Sequence, residues 1–139
     1  MRIPFSDFEC KVLKQLNCAP SQLHPNGWAF LQAFEILMEV LEENLSVELF
    51  FSLFQAKGVW KGGWVNLNSS PGFAVFKLYK SSFKNFKEMY LKVSSCEDDF
   101  PFYVDEHLGE RFPLWWCSEP RNILDPESIS PKDECMIEF

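Results

Sequence analysis

Two short segments of the chain combine a helix-capping residue with apolar positions at helical spacing. Ser6 and Glu9 match a capping box, so a first helix is predicted to follow Ser6. Its apolar face would carry Phe8, Val12, Leu13 and Leu16. Ser46 is predicted to cap a short third helix that ends near Gly58. Its apolar side would be formed by Leu49, Phe50, Leu53 and Phe54.

The longest helical pattern lies between these two segments. It predicts a helix from about Trp28 to Asn44 with a wide apolar face. That face carries Leu31, Phe34, Met38, Leu41 and Leu45, beside a second stripe of Phe30, Ala33, Leu37 and Val40. A coiled-coil seam would need three or four heptads, and about two are present. A core helix is therefore favoured, while Ile36, among the polar positions, indicates a second contact.

The pattern changes to short β-type runs after residue 60. Residues 64–79 are predicted to form a hairpin, because two β-rich runs flank Ser70-Pro71-Gly72, which suits a type II turn. Ser82 would cap a further helix, and strands are predicted at Leu91–Ser94 and Phe112–Trp116. The order predicts an α+β fold in which N-terminal helices pack on a small antiparallel sheet with a central hairpin and one further helix.

The chain has 139 residues, a length that fits one domain. Residues 1–117 are predicted to be globular. Residues 118–139 combine a Pro-, Ser- and acid-rich linker with the start of a last helix at Pro131. The most apolar run, Leu49–Phe54, is too short for a membrane span, and Asp7 and Glu9 disrupt any signal-peptide core.

Five scattered cysteines favour reduced thiols over a disulfide framework: Cys10, Cys18, Cys96, Cys117 and Cys135. The expected compartment is intracellular, either nucleus or cytoplasm.

The net charge of −7 is unevenly distributed, since residues 57–92 contain seven lysines and one acid between acidic flanks. Lysines can neutralise phosphates and aromatic rings can stack on bases. This predicts a nucleic-acid interface formed by Lys77, Lys80, Lys84, Lys87, Lys92, Trp60 and Trp64. The alternative is that the aromatic residues form core and the lysines a solvated surface. The absence of arginine from the segment, and the acidic flanks, weaken the nucleic-acid interpretation.

Complete catalytic motifs are missing from the sequence. The carboxylates that could converge on metal ions lie in a predicted loop: Asp98, Asp99, Asp105, Glu106 and Glu110. Ser21 and His24 are close in sequence, yet the adjacent prolines favour roles as turn and cap residues. No zinc-type Cys/His spacing and no phosphate-binding glycine loop occurs. We therefore expect neither enzymatic activity nor a cofactor, metal or small-molecule substrate.

One segment, Ala19–Phe30 with its continuation to Leu37, resembles the first block of a plant transposon-protein domain, also called the gypsy-type transposase domain. Four later blocks agree in order: Leu53-Phe54-Gln55, Gly63-Trp64-Val65 with Ser70-Pro71-Gly72, residues 76–87, and Arg111–Trp116. The resemblance implies a retrotransposon-derived, gag-like region with no established site. It also implies that this copy is truncated in its last helix. Ser70, and Phe73 with Ala74, replace basic residues common in the family, which weakens a nucleic-acid role.

Three functional hypotheses follow, and a fourth possibility is that this copy has no selected function. The first is a non-catalytic domain that acts in protein interaction or assembly, with a protein partner or a second copy and without a membrane. The second is nucleic-acid binding through residues 57–92. The third, a metal-dependent transposase or nuclease, has the least support.

Overall fold

The computed structural model describes residues 3–57, 62–73, 76 and 101–129. Three helices, α1 (Asp7–Leu16), α2 (Pro25–Val40) and α3 (Val47–Leu53), are followed by strands β1 (Phe54–Ala56) and β2 (Leu67–Ser69). The strands pair antiparallel with Phe54 opposite Ser69, and the sheet lies against α2 and α3. Short 3-10 turns occur at Pro20–Gln22 and Pro126–Ser128. This arrangement confirms the α+β prediction. In the part of the chain that the structure describes, no helix is both long and apolar enough to span a bilayer.

Helix α1 begins with the predicted capping box. The Ser6 hydroxyl accepts the Glu9 backbone N–H at 3.1 Å, and a Glu9 carboxylate oxygen accepts the Ser6 N–H at 3.4 Å. The Ser6 hydroxyl also donates to Glu35 on α2 at 2.7 Å. Glu9 is only 6% exposed, and its second carboxylate oxygen has no hydrogen-bond partner. The cap therefore places a carboxylate at the contact between two helices.

Burial raises the pKa of Glu9, and the neighbouring Glu35 carboxylate raises it further. Because the folded-state pKa lies above the unfolded one, the stabilising contribution is full below the unfolded pKa and is lost as the pH rises through the folded pKa. We expect Glu9→Gln to raise the urea midpoint at pH 7 and to change it little at pH 4, since glutamine retains the capping box. Exposed Glu39→Gln is the matched control. An equal gain at both pH values would contradict the electrostatic explanation.

Helix α2 begins and ends earlier than the sequence predicts. It starts at Pro25, ends at Val40 and is followed by Glu42 in the left-handed conformation (φ 56°). The N–H groups of Glu42 and Glu43 donate to the carbonyls of Glu39 and Met38, a Schellman-type end. Because the chain leaves the helical path here, Leu41 and Leu45 are exposed and the prediction that they face the core is wrong. Ile36 lies on the exposed side, as predicted.

The core is built largely from phenylalanine rings. Phe50 on α3 stands at its centre, with ring centroids 5.3 Å from Phe34 and 4.8 Å from Phe54. Phe8 and Phe51 also contact it, at 5.6 Å and 5.2 Å. All five rings are at most 5% exposed, so the aromatic-rich composition does produce a substantial core.

The sheet is assembled differently from the predicted hairpin. The turn at residues 70–73 forms as expected, since the Phe73 N–H donates to the Ser70 carbonyl and Gly72 has a φ of 80°. However, β2 pairs with β1, a strand that the sequence assigns to the end of the third helix. The rest of the predicted hairpin, apart from Phe76, lies outside the described residues, as do the helix after Ser82 and the strand at 91–94.

Part of the segment that the sequence predicts to be a linker, residues 118–129, packs against the core. Ile123 is fully buried and exchanges two backbone hydrogen bonds with Ala56, of 2.8 and 2.9 Å. Ile123 thus extends the sheet beyond β1 by one bridge. The Arg121 N–H donates to the Leu16 carbonyl at 2.8 Å. Ile129, only 8% exposed, also belongs to the core, so this segment contributes two buried isoleucines. The predicted boundary at residue 117 remains a prediction.

The predicted strand at Phe112–Trp116 is wrong, because this segment is irregular. Phe112 packs edge-on against Phe5 at 5.1 Å, which fixes the start of the segment in the core. Pro113 has no N–H with which to extend a ladder. The next three residues turn outward, and Leu114, Trp115 and Trp116 are 37%, 79% and 47% exposed.

Candidate interaction site

Gln22 joins three distant segments of the chain. Its side chain is fully buried, and its amide nitrogen donates to the carbonyls of Gly63 and Cys117, both at 2.8 Å. Its amide oxygen accepts the N–H groups of Ala19 and Cys117, also at 2.8 Å. Two donors and two acceptor lone pairs are the full capacity of a glutamine side chain. We refer to this set of four hydrogen bonds as the Gln22 clip.

The residues after Gln22 start α2 and attach it to the strand region. Leu23 forms a parallel bridge with Val65, through hydrogen bonds from His24 N–H to the Val65 carbonyl and from Val65 N–H to the Gln22 carbonyl. The His24 ring nitrogen Nδ1 accepts the Asn26 N–H at 3.1 Å and caps the helix. The Trp28 indole N–H donates to the Pro20 carbonyl at 3.1 Å. The segment from Ala19 to Leu37, on which the family resemblance mainly depends, therefore contributes contacts that hold the fold together.

Gly27 and Gly63 are the two positions where this construction leaves no room for a side chain. A Cβ on Gly27 would lie 2.8 Å from a Leu23 methyl carbon. A Cβ on Gly63 would lie 2.9 Å from the Cys117 carbonyl oxygen, and Gly63 has a φ of 82°. Gly63 thus allows the backbone of residue 117 to approach closely enough for Gln22 to bind both.

A groove of about 410 Å³ lies beside the clip. Its floor and walls come from the end of α1 and from the segment after Glu110, and its lining residues are Lys14, Asn17, Glu110, Phe112, Pro113, Leu114, Trp115, Trp116, Cys117 and Arg121. We call it the Trp115 groove. Trp115 is the most exposed large apolar side chain at its edge.

Hydrogen bonds and ring contacts hold the groove's walls. The Trp116 indole N–H donates to the Gly62 carbonyl at 3.0 Å, and its ring packs edge-on against Trp64 at 4.7 Å. The Asn17 amide donates to the Glu119 carbonyl at 3.3 Å, which ties the end of α1 to the far wall. Trp116 is therefore fixed, while Trp115 projects from a segment that is held by Phe112 in the core before it and by the Cys117 N–H bond to Gln22 after it.

The groove carries two basic side chains and one acidic one. Lys14 comes from the last turn of α1 and Arg121 from the opposite strand-like segment, while Glu110 completes the lining. An exposed aromatic ring beside cationic groups can bind an apolar group that is followed by an anion. The arrangement favours binding over covalent chemistry.

None of the three cysteines among the described residues has a thiol activated for nucleophilic chemistry. Burial raises the pKa of Cys10 to about 11 and raises that of Cys18 still more. Desolvation also raises the pKa of Cys117, the thiol at the groove. Because a thiolate is the nucleophile, a raised pKa reduces reactivity. These three cysteines are free thiols, consistent with the sequence expectation.

In the predicted acidic loop, the Asp105 carboxylate stabilises a turn. Asp105 accepts the N–H groups of His107 and Gly109, each at 2.8 Å, and these bonds lower its pKa, with Gly109 as the main cause. Among residues 3–57, 62–73, 76 and 101–129, no three metal-binding side chains converge. Asp98 and Asp99 lie outside the described residues.

Most residues of the predicted nucleic-acid interface lie outside the part of the chain that the structure describes. They are Trp60, Lys77, Lys80, Lys84, Lys87 and Lys92. Trp64 is described, and it is half-buried against Trp116. Whether the lysines form one surface stays a prediction.

The Trp115 groove is not predicted by the sequence. The apolar pattern places Trp115 and Trp116 in a strand, and no motif marks Lys14 or Arg121 as a site residue. The available signal was the run Leu114-Trp115-Trp116 directly after a proline, because consecutive side chains of a strand point to opposite faces. Three large apolar side chains in a row therefore leave at least one exposed unless both faces are covered.

The comparisons with known proteins give one family. Residues 1–58 match the model of the family described as "Putative gypsy type transposon". No curated protein and no solved structure matches the chain. The match covers α1, α2, α3 and β1, and it includes the Gln22 turn and the His24 cap. Over residues 1–58 the chain is therefore similar to the gypsy-type transposon family.

Proposed function

We propose that this transposon-derived domain is a non-catalytic protein-interaction module and that it binds its partner in the Trp115 groove. The observation that carries the proposal is the exposure of Trp115, 79% of whose surface is open to solvent on an anchored backbone. Burying an aromatic side chain of this size is strongly favourable. Because the folded domain leaves Trp115 exposed, a partner that buries this side chain gains that favourable free energy on binding.

The anchoring of the groove supports this role. Ordering side chains and loops at an interface costs about 0.5–1.5 kcal/mol for each immobilised side chain. Here the Gln22 clip and the Trp116–Gly62 hydrogen bond fix the walls before a partner arrives. Tryptophan and arginine are also the residue types most enriched among binding hot spots. Trp115 would therefore be the main energetic contact, with Arg121 and Lys14 beside it.

The lining also indicates what the partner presents. Trp115 and Leu114 offer apolar surface, whereas Lys14 and Arg121 offer positive charge against the single Glu110. An extended protein segment with an apolar or aromatic side chain next to a carboxylate matches both features. The volume holds a few side chains, which suits a short segment.

A non-catalytic role is supported by how the chemically capable residues are used. His24 caps α2, Asp105 closes a turn, and the Cys117 thiol has a raised pKa. None of these three offers an activated nucleophile or base. A gag-like origin, which the resemblance implies, also supports a role in assembly.

The test is selection of a displayed library of random short peptides on the immobilised full chain. We expect enriched peptides to combine an aromatic or apolar residue with an acidic neighbour. Trp115→Ala should weaken the best peptide by about 30-fold or more, the effect of losing a hot-spot side chain. Lys14→Ala should weaken it less, and mainly at low ionic strength. Binding is measured by fluorescence anisotropy.

Leu108→Ala is the matched control, because Leu108 is 71% exposed and lies outside the groove lining. It should leave peptide affinity unchanged. Enriched peptides that tolerate Trp115→Ala, or a library that yields none, would overturn the proposal. Single-stranded RNA that binds the chain at low salt, loses affinity on Trp115→Ala and competes with the peptides would replace it with the nucleic-acid function.

A further inference from the structure

A second apolar surface lies at the end of α2, away from the lining of the Trp115 groove. Ile36 and Val40 are 61% and 72% exposed and lie one turn apart on the same helix face. Leu41 and Leu45, 55% and 45% exposed, follow in the connection to α3. We call these four residues the α2 strip. The early end of α2 at the left-handed Glu42 is what leaves the two leucines outside the core.

The charged residues of the segment that carries the α2 strip, residues 28–56, are all acidic. The exposed acidic residues of this segment are Glu39, Glu42, Glu43 and Glu48. The sequence contains no lysine, arginine or histidine between residues 28 and 56. A binding surface with an apolar centre and a negative rim selects partners through complementary charge.

We propose that the α2 strip binds a basic amphipathic helix of a partner protein. The apolar face of that helix would cover Ile36 and Val40, and its lysines or arginines would meet the glutamates. Docking of an amphipathic helix on an apolar surface is a general mode of peptide recognition. A second copy of the chain fits less well, because a two-fold contact through the strip would place glutamates against glutamates.

This surface is independent of the Trp115 groove. The groove carries Lys14 and Arg121 and favours acidic segments, whereas the strip carries glutamates and favours basic ones. With both surfaces, one domain could join two partners of opposite charge. The strip proposal does not depend on the groove, and each can fail alone.

The experiment uses two synthetic fluorescent peptides that form amphipathic helices with the same leucine face. One carries lysines on the flanking positions and the other carries glutamates. Anisotropy titrations with the full chain are made at low and near-physiological ionic strength. We expect the lysine peptide to bind and to weaken with salt, and the glutamate peptide not to bind. Equal binding of both peptides, or binding of neither, would overturn the proposal.

Variants locate the binding. Ile36→Asp and Val40→Asp should each weaken the lysine peptide by at least tenfold, and both positions are exposed, so the fold should persist. Glu39→Gln with Glu43→Gln should weaken it at low salt and flatten the salt dependence. Leu108→Asp, an equally exposed apolar position elsewhere, is the control and should have no effect. If the lysine peptide binds both Ile36→Asp and Val40→Asp as tightly as wild type, it binds through the protein's net negative charge and not at the α2 strip, and the proposal is wrong.

Two further measurements separate other occupants. If sedimentation shows that the chain self-associates and Ile36→Asp abolishes this, the occupant is a second copy and the proposal is wrong. Trp115→Ala should leave the lysine peptide's affinity unchanged. Loss of affinity in that variant would place the peptide in the groove and would also overturn the proposal.

Discussion

Replacement of Gln22 by leucine is expected to lower the free energy of unfolding by about 3 kcal/mol or more, because it leaves several largely buried backbone groups unpaired at about 1–3 kcal/mol each. The groups are the N–H of Ala19, the carbonyl of Gly63, and both the N–H and the carbonyl of Cys117. Leucine is close to glutamine in size, so the loss measures the hydrogen bonds and not a cavity. Urea unfolding of the full chain gives the value, with the slope m checked for constancy.

Two companion variants define the cause. Gln22→Glu keeps the shape but replaces the donor by an oxygen that would face the carbonyls of Gly63 and Cys117, so it should destabilise at least as much at pH 7. Ser21→Ala changes the exposed neighbour in the same turn and should stay within about 0.5 kcal/mol of wild type. If Gln22→Leu cost no more than Ser21→Ala, the Gln22 clip would not hold the three segments together.

The same substitution connects stability with the proposed function. Gln22 is the residue that fixes Cys117, and Cys117 follows directly on Trp115 and Trp116. Without these hydrogen bonds, residue 117 and the adjoining wall of the Trp115 groove are no longer held in place. The free-energy cost of ordering the wall is then part of the binding step and lowers the affinity. We therefore expect Gln22→Leu to weaken peptide binding under conditions where the variant is still folded.

Local signals in the sequence predicted local structure well. The capping box of Ser6 and Glu9, the Ser46 cap and the Pro71-Gly72 turn depend on atoms within four residues of each other, and all three form. The end of α2 was placed too late because a left-handed glutamate at residue 42 leaves no apolar-pattern signal. A glycine there would have marked the end.

Contacts between distant residues were not predictable from periodicity. Gln22 and Cys117 are 95 positions apart, and nothing in the spacing of either indicates the other. The pairing of β1 with β2, and of Ala56 with Ile123, likewise depends on which segments the packed helices bring together. The same reason explains why the Trp115 groove was missed: its walls come from α1 and from the segment after Glu110, and only the fold places them side by side.

Fifteen phenylalanines indicated an aromatic core without indicating its centre. That centre is on α3, a helix of seven residues. A helix this short is not stable alone in water, so its formation depends on tertiary packing. Phe50 supplies that packing through the rings of Phe8, Phe34, Phe51 and Phe54. The ring joins α1, α2, α3 and β1, the elements within the family match.

Phe50→Ala should therefore cost about 3–5 kcal/mol of unfolding free energy, the range for removing a fully buried ring from a packed core. Such a loss is a large part of the total stability of a domain, about 5–15 kcal/mol. Phe50→Leu, which retains much of the volume, keeps the test readable if the alanine variant does not fold, and should cost less. Both are measured by chemical unfolding in parallel with wild type.

Leu49→Ala is the matched control, because Leu49 precedes Phe50 on the same helix but is 40% exposed. It removes a side chain from α3 without opening the core, and alanine favours a helix, so the change should be small. A Leu49→Ala loss as large as that of Phe50→Ala would mean that α3 is held by its exposed side through a contact the core does not supply. A large loss at Phe50 alone would show that α1, α2 and β1 depend on one ring for their common packing.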